Sequence, residues 1–152
     1  MTDVAKTALE LAAAAIGVHE QPRGSNRGPE VDEYLRNVGL DASRGSYPWC
    51  AAFVSTICTA AGALKLRKSA SCLRLVELNA PELAMTAPED GCIFVHLLPN
   101  AHGHTGFVEH VNSDGTLCTI EGNTDADGSR TGGCVMRQTR AADYAQVFLR
   151  IT

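Results

Sequence analysis

The sequence predicts an α+β domain, with helices in its first half and an antiparallel sheet in its second. Three observations predict it. Apolar residues recur at helical spacing from the N-terminus to Leu78. From Gly91 the pattern changes to short β-type runs. Asn112-Ser113-Asp114-Gly115 then forms a hairpin signal between two such runs. Helices first and hairpin-linked strands second pack as helices on one face of a sheet. With no repeat, low-complexity tract or linker-like stretch, residues 1–152 read as a single domain.

The elements follow in order. Thr2 to Ile16 reads as a helix with Val4, Ala8, Leu11, Ala12 and Ala15 on one face and Gly17 as its stop. His19 to Pro29 is a polar loop dense in turn residues. Pro29 opens a second helix to Val38, closed by Gly39. A third helix follows Pro48. In it Cys50, Phe53, Val54, Ile57, Cys58 and Ala61 share one face, and it ends near Gly62. A fourth helical piece spans Ser71 to Leu78. Asn79 to Asp90 contains two prolines and reads as a loop. Strands are expected over Gly91–Leu98, His104–Val111, Thr116–Glu121, Cys134–Thr139 and Gln146–Ile151, with a loop over Asn123–Gly133.

Composition narrows the function. A net charge of −4, with no lysine or arginine cluster, excludes an electrostatic case for nucleic acid. No apolar run is long enough to insert across a membrane. Met1 to Ile16 carries Asp3 and Glu10 and has no basic start, so it reads as a helix and not as a signal peptide. The six cysteines include no C-x-x-C pair, so no zinc-ribbon spacing exists and no metal or cofactor is expected. They read as mostly reduced thiols, with one bridge allowed in an oxidising compartment.

Chemistry concentrates at Cys50. It falls in the first turn of a helix, where free backbone N–H groups and the helix dipole favour a thiolate and a developing oxyanion. Tyr47 is a further hydroxyl donor nearby in sequence. The competing reading is a buried, inert thiol. A nucleophilic cysteine needs a base and an orienting group. Of five histidines, His104 opens a strand, in Gly103-His104-Thr105-Gly106. Gly106 on the same face is expected to admit the Cys50 helix. His110 shares that face by alternation and is the second candidate. His102 reads as a loop residue or substrate contact. Across the hairpin, Glu121 closes the partner strand beside His104, and Asn123 follows two residues later.

These stretches resemble a known family. Ile16-Gly17-Val18-His19-Glu20, Gly24-Ser25-Asn26-Arg27-Gly28-Pro29, Pro48-Trp49-Cys50-Ala51-Ala52-Phe53-Val54, Gly103-His104-Thr105-Gly106-Phe107-Val108 and Glu121-Gly122-Asn123-Thr124 are together similar to the CHAP amidohydrolases. Those belong to the wider NlpC/P60, papain-like group of peptidoglycan hydrolases. The resemblance implies a papain-like fold, Cys50 as nucleophile, His104 as base, Glu121 as orienter and Asn123 as a supporting polar group. It also implies a groove lined by Glu20 and Asn26. Tyr47, Trp49 and His102 are expected as further substrate contacts. The substrate it implies is an amide in the peptide part of bacterial cell wall, cut through a thioester. The chain departs from the family in having Asp90-Gly91-Cys92 where Gly-Asp is usual, and Thr105 where valine is common. Asp41 is the only acid between Leu40 and Cys50, so calcium is not carried over.

The expected setting is an antibacterial effector of the type VI kind, made in the cytoplasm without a signal peptide. It would act in the periplasm or wall of a target bacterium, with a cognate immunity protein in the producer. A phage endolysin is the alternative delivery route. The alternative from another class is a papain-like binding module in which Cys50 is structural.

Overall fold

Thr2 does two jobs at the start of the chain. Its hydroxyl accepts from the Ala5 amide, which caps helix α1 (Asp3–Ala14), and donates to the Ile151 carbonyl, which ties the two chain ends together. This is a computed structural model, and it describes residues 1–152. Ala5, Ala8 and Ala12 form the buried stripe of α1, and these small side chains let α1 lie close to its neighbours. Helix α2 (Pro29–Asn37) starts on Pro29 and buries Val31, Tyr34 and Leu35.

Helix α3 (Cys50–Ala60) is buried on most of its circumference. Ala51, Ala52 and Ser55 are enclosed along with the expected face. It is therefore the central helix, with α2 on one side and the sheet on another. Helix α4 (Cys72–Leu83) is capped by the Ser71 hydroxyl, which accepts from the Arg74 amide. It runs five residues past Leu78, through Pro81, where the sequence suggested a loop. Pro81 lies in the last turn, so its missing N–H removes one bond near the helix end only. Two contacts hold that extension: Leu83 is buried, and the Asn79 side chain bonds Leu75 and both backbone groups of Arg67.

The sheet has six strands, β1 (Ala84–Met85), β2 (Ile93–Leu97), β3 (Gly103–Val111), β4 (Leu117–Thr124), β5 (Cys134–Arg140) and β6 (Val147–Leu149). Their order is β1-β6-β2-β3-β4-β5, and every pairing is antiparallel. The Asn112–Gly115 turn joins β3 to β4 as expected, with the Gly115 amide donating to Asn112. Strand β1 is too short to leave a pattern in sequence. Strand β4 continues to Thr124, so Asn123 lies inside the sheet and not in a loop.

The two faces carry different cargo. Ile93, Val95, Phe107 and Ile120 face the helices and join the main core around Phe53. Phe94, Val108, Leu117 and Phe148 form a smaller core on the other face. Gly106 serves a different purpose from the one expected. A side chain there would strike Glu121 Cγ and the Phe94 ring at 2.9 Å each. Gly106 therefore makes room for the carboxylate across the strand, and it belongs to the Phe94 face, since Gly106 pairs with Phe94 and Glu121. The close approach of α3 is made at Gly122, where an added Cβ would lie 2.9 Å from Phe53 Cβ and Cγ. We predict that Gly122→Ala overpacks this contact and destabilises the fold by about 1–3 kcal/mol. A urea midpoint equal to that of the parent would show that α3 and β4 are not this tightly apposed.

Candidate active site

His104 is the second residue of β3 and is completely buried. The β3–β4 hairpin sets Glu121 opposite Gly106, one same-face step along from His104. His104 Nε2 lies 2.7 Å from Glu121 Oε2, and neither side chain has any solvent exposure. An ionised carboxylate cannot be buried alone without a large penalty. Glu121 is not alone: Thr119 Oγ1 donates to Oε1 at 2.6 Å, Arg140 Nε donates to Oε1 at 2.8 Å, and Arg140 Nη2 bonds Oε2. Arg140 also lies over the Tyr144 ring, 4.5 Å from its centre. Burial pushes the Glu121 pKa up, but the bonds from Arg140, His104 and Thr119 outweigh it and bring the pKa to about 2.

The other ring nitrogen of His104, Nδ1, is buried and makes no aligned hydrogen bond. The Cys50 sulfur lies close enough to govern the titration of this ring. Burial opposes a charge on His104, but the Cys50 sulfur and the Glu121 carboxylate prevail and hold its pKa up at about 9. Cys50 moves the opposite way. A hydrogen bond from the Cys72 thiol is the largest influence and lowers it; burial opposes; His104 and the Ala51 amide add to the lowering. The result lies well below the ordinary thiol range. Cys50 therefore favours the thiolate, paired with an imidazolium.

Cys72 is a member of this site that sequence reading missed. It is the first residue of α4, and its sulfur lies 3.7 Å from that of Cys50. Its own pKa is raised by that contact and by burial, so it stays a thiol and donates. Gly103 makes the room, because a side chain there would meet Cys72 Cβ at 2.9 Å. A cleft of about 170 Å³ opens here, lined by Pro48, Cys50, Ser71, Cys72, His102, Gly103 and Arg130 among others. A larger hollow beside Arg27, Asp32 and Asp41 touches neither Cys50 nor His104.

Several expected substrate contacts lie elsewhere. Glu20 is buried and does not line the Cys50 cleft. Its Oε1 accepts from Trp49 Nε1 at 3.0 Å and its Oε2 from the Gly24 amide at 2.8 Å, so it braces the residue before Cys50. A polar loop gives no sign of such burial. Residues 17–20 run beside β5 through bonds to Gly133 and Val135, which carries Glu20 inward. Trp49 is fully buried against Tyr34 and offers no surface to a ligand. Asn26 bonds Ser46 Oγ, Tyr47 packs half-buried over Gly45, and neither lines the cleft. His102 is exposed and does line it. His110, the second candidate base, is separated from His104 by a bulge after Val108. It is exposed and bonds Asp90 at 3.0 Å. Asn123 is buried at φ 59°, within a bulge of β4 between Glu121 and Thr124, and its side chain bonds neither His104 nor any other group. All six cysteines are free thiols.

A family model described as the CHAP domain matches residues 42–123. The span holds Cys50, Cys72, His104 and Glu121 but not Arg140. No curated protein and no solved structure matches the chain.

Two predictions follow from these charges. Cys50 should react with iodoacetamide at pH 6 far faster than a free thiol of pKa about 8.5. A rate that rises only above pH 8 would remove the thiolate. Glu121 contributes stability that is present above pH 4.5, its ordinary value, and is lost as pH falls through about 2. Arg140→Gln weakens the cause of that shift. The variant should therefore be less stable than the parent at neutral pH, with the difference closing toward pH 2. A difference that is constant with pH would mean that Arg140 acts through packing alone.

Proposed function

This chain belongs to the CHAP domain family, whose members' activity is generally that of a peptidoglycan amidase or peptidase, and on that premise we propose that it is a cysteine hydrolase of the peptide part of bacterial cell wall. The observation that carries the proposal is the division of labour on one buried imidazole. Nε2 is held by Glu121, and Nδ1 is left without a partner beside a cysteine at a helix start.

In this reading Cys50 Sγ, as thiolate, attacks the carbonyl carbon of a peptide bond entering the cleft. The N–H groups of the first turn of α3 have no intrahelical acceptor and receive the developing oxyanion. His104 Nδ1–H then delivers its proton to the leaving amine, and the C–N bond breaks to leave a thioester on Cys50. The neutral imidazole next takes a proton from water, whose oxygen attacks the thioester and restores the thiolate and imidazolium. Through both steps Glu121 keeps Nε2 protonated and the ring fixed, the role of the third member of a triad. Arg140 acts on the carboxylate and not on the substrate. Arg130 and His102, on the cleft wall, are the side chains that meet the wall peptide. Asn123 has no step in this scheme.

The test is mass spectrometry of purified peptidoglycan after incubation with the parent and with Cys50→Ala. New fragments from the parent alone are expected, and their masses name the bond. No fragments from a folded parent would overturn the hydrolase and favour a binding module. We also propose an antibacterial effector role of the type VI kind, with an immunity protein that covers the Cys50 cleft. Export of the protein to the periplasm of a susceptible host should lyse it, and export of Cys50→Ala should not. Equal growth of both strains would count against that role.

A further inference from the structure

We propose that Cys50 and Cys72 are an oxidation-sensitive pair, in which Cys72 is the resolving thiol that closes a reversible disulfide on the nucleophile. As a switch this rests on the hydrolase reading; the pairing itself does not.

The two sulfurs are 3.7 Å apart, and a bond of about 2.05 Å needs them to approach by roughly 1.7 Å. The proximity is built into the fold. Each cysteine is the first residue of its helix. The connection from α3 to α4 is pinned twice, by Ser55 Oγ to both backbone groups of the Ser69 peptide region and by Asn79 to Arg67. Gly103 keeps the space beside Cys72 clear. Both cysteines line the same cleft, which gives a small oxidant an approach to the pair. The other thiols lack this arrangement: Cys58, Cys92, Cys118 and Cys134 make no sulfur–sulfur contact and none of them lines this cleft.

The chemistry balances with a hydroperoxide as oxidant. The Cys50 thiolate attacks one peroxide oxygen, the O–O bond breaks, the departing hydroxide takes a proton from the His104 imidazolium as water, and a sulfenic acid is left on Cys50. The Cys72 sulfur then attacks the Cys50 sulfur. The S–O bond breaks, and the departing hydroxide takes the Cys72 proton as water. Two thiols lose two electrons, and the peroxide is reduced to water. The pair protects as well as silences, since a sulfenic acid with no partner thiol proceeds to sulfinic acid, which ordinary thiols do not reverse. A reduced state favoured by thiolate–imidazolium pairing makes the disulfide easy to reduce again.

The experiment treats the reduced full-length protein with stepwise hydrogen peroxide, blocks remaining thiols with iodoacetamide, and maps tryptic peptides by mass spectrometry. The expected product links peptide 45–65 to peptide 69–74, with fragmentation placing the bond on Cys50 and not on Cys58. Alkylation of Cys50 should be lost on oxidation and return to its starting level after dithiothreitol. In Cys72→Ser, oxidised Cys50 should reach sulfinic acid, and dithiothreitol should not restore its alkylation. Sulfinic acid on Cys50 in the parent without the linked peptide would overturn the proposal, as would a link from Cys72 to another cysteine. If Cys72→Ser fails to fold, the parent map decides alone. Peptidoglycan cleavage, measured in parallel, keeps the two proposals apart. A link formed in a protein that cleaves nothing when reduced upholds the pair and sinks the hydrolase. Cleavage without a link does the reverse.

Discussion

A carboxylate with no solvent exposure sits at the centre of this molecule, and the sheet is arranged to make it tolerable. Glu121 receives Nε2 of His104, Oγ1 of Thr119 and two nitrogens of Arg140, so both oxygens are fully occupied. These donors come from β3, β4 and β5. Each strand must therefore keep its register, since a slip of one residue would turn the donor to the opposite face and leave the charge unpaired. The energy of an unpaired buried charge is large compared with the stability of a small domain. Electrostatics thus fixes the sheet as firmly as the hydrophobic core does.

The helices meet this arrangement from the other side. Phe107, Ile120 and the bare backbone at Gly122 receive Phe53, while the alternate positions carry His104, Glu121 and Thr119. The helical core and the charged network are thereby placed on opposite faces of the same two strands. Only at the ends of α3 and β3 do they meet, where Cys50 comes beside the His104 ring. Placement of Cys50 depends in turn on Trp49, clamped between Tyr34 and the buried Glu20 carboxylate. Glu20 thus supports the site from behind and has no part at the cleft.

Much of this was legible in the chain because local rules fixed it. Pro48 and the spacing of Phe53, Val54 and Ile57 placed Cys50 in a first helical turn. The Asn112–Gly115 turn set the β3–β4 register, and register brought Glu121 to His104. The residues that escaped detection arrive by longer routes. Arg140 follows the 125–133 loop, and Cys72 follows the 61–71 connection; no local pattern encodes where such segments return. Glu20 and Trp49 were misplaced for a related reason. A polar residue in a turn-rich loop looks solvated until the strand-like contact of residues 17–20 with β5 carries it inside. Gly106 does share the face of His104, but that is the Phe94 face and not the one the helices cover; for His110, the bulge after Val108 breaks the alternation.

The four ionisable groups form a line of alternating sign: Cys50 thiolate, His104 imidazolium, Glu121 carboxylate, Arg140 guanidinium. Each interior member is flanked by opposite charges, so the line is neutral as a whole, and burial strengthens every link in it. The terminal cation matters for the first member. Without Arg140, Glu121 would titrate higher, the imidazolium would lose part of its counter-charge, and the thiolate would in turn lose its own. Arginine suits that end better than lysine, because its planar fork satisfies both carboxylate oxygens while its face lies on Tyr144. The charge on Cys50 is therefore supported, through two partners, by a residue outside the span of the matched family model.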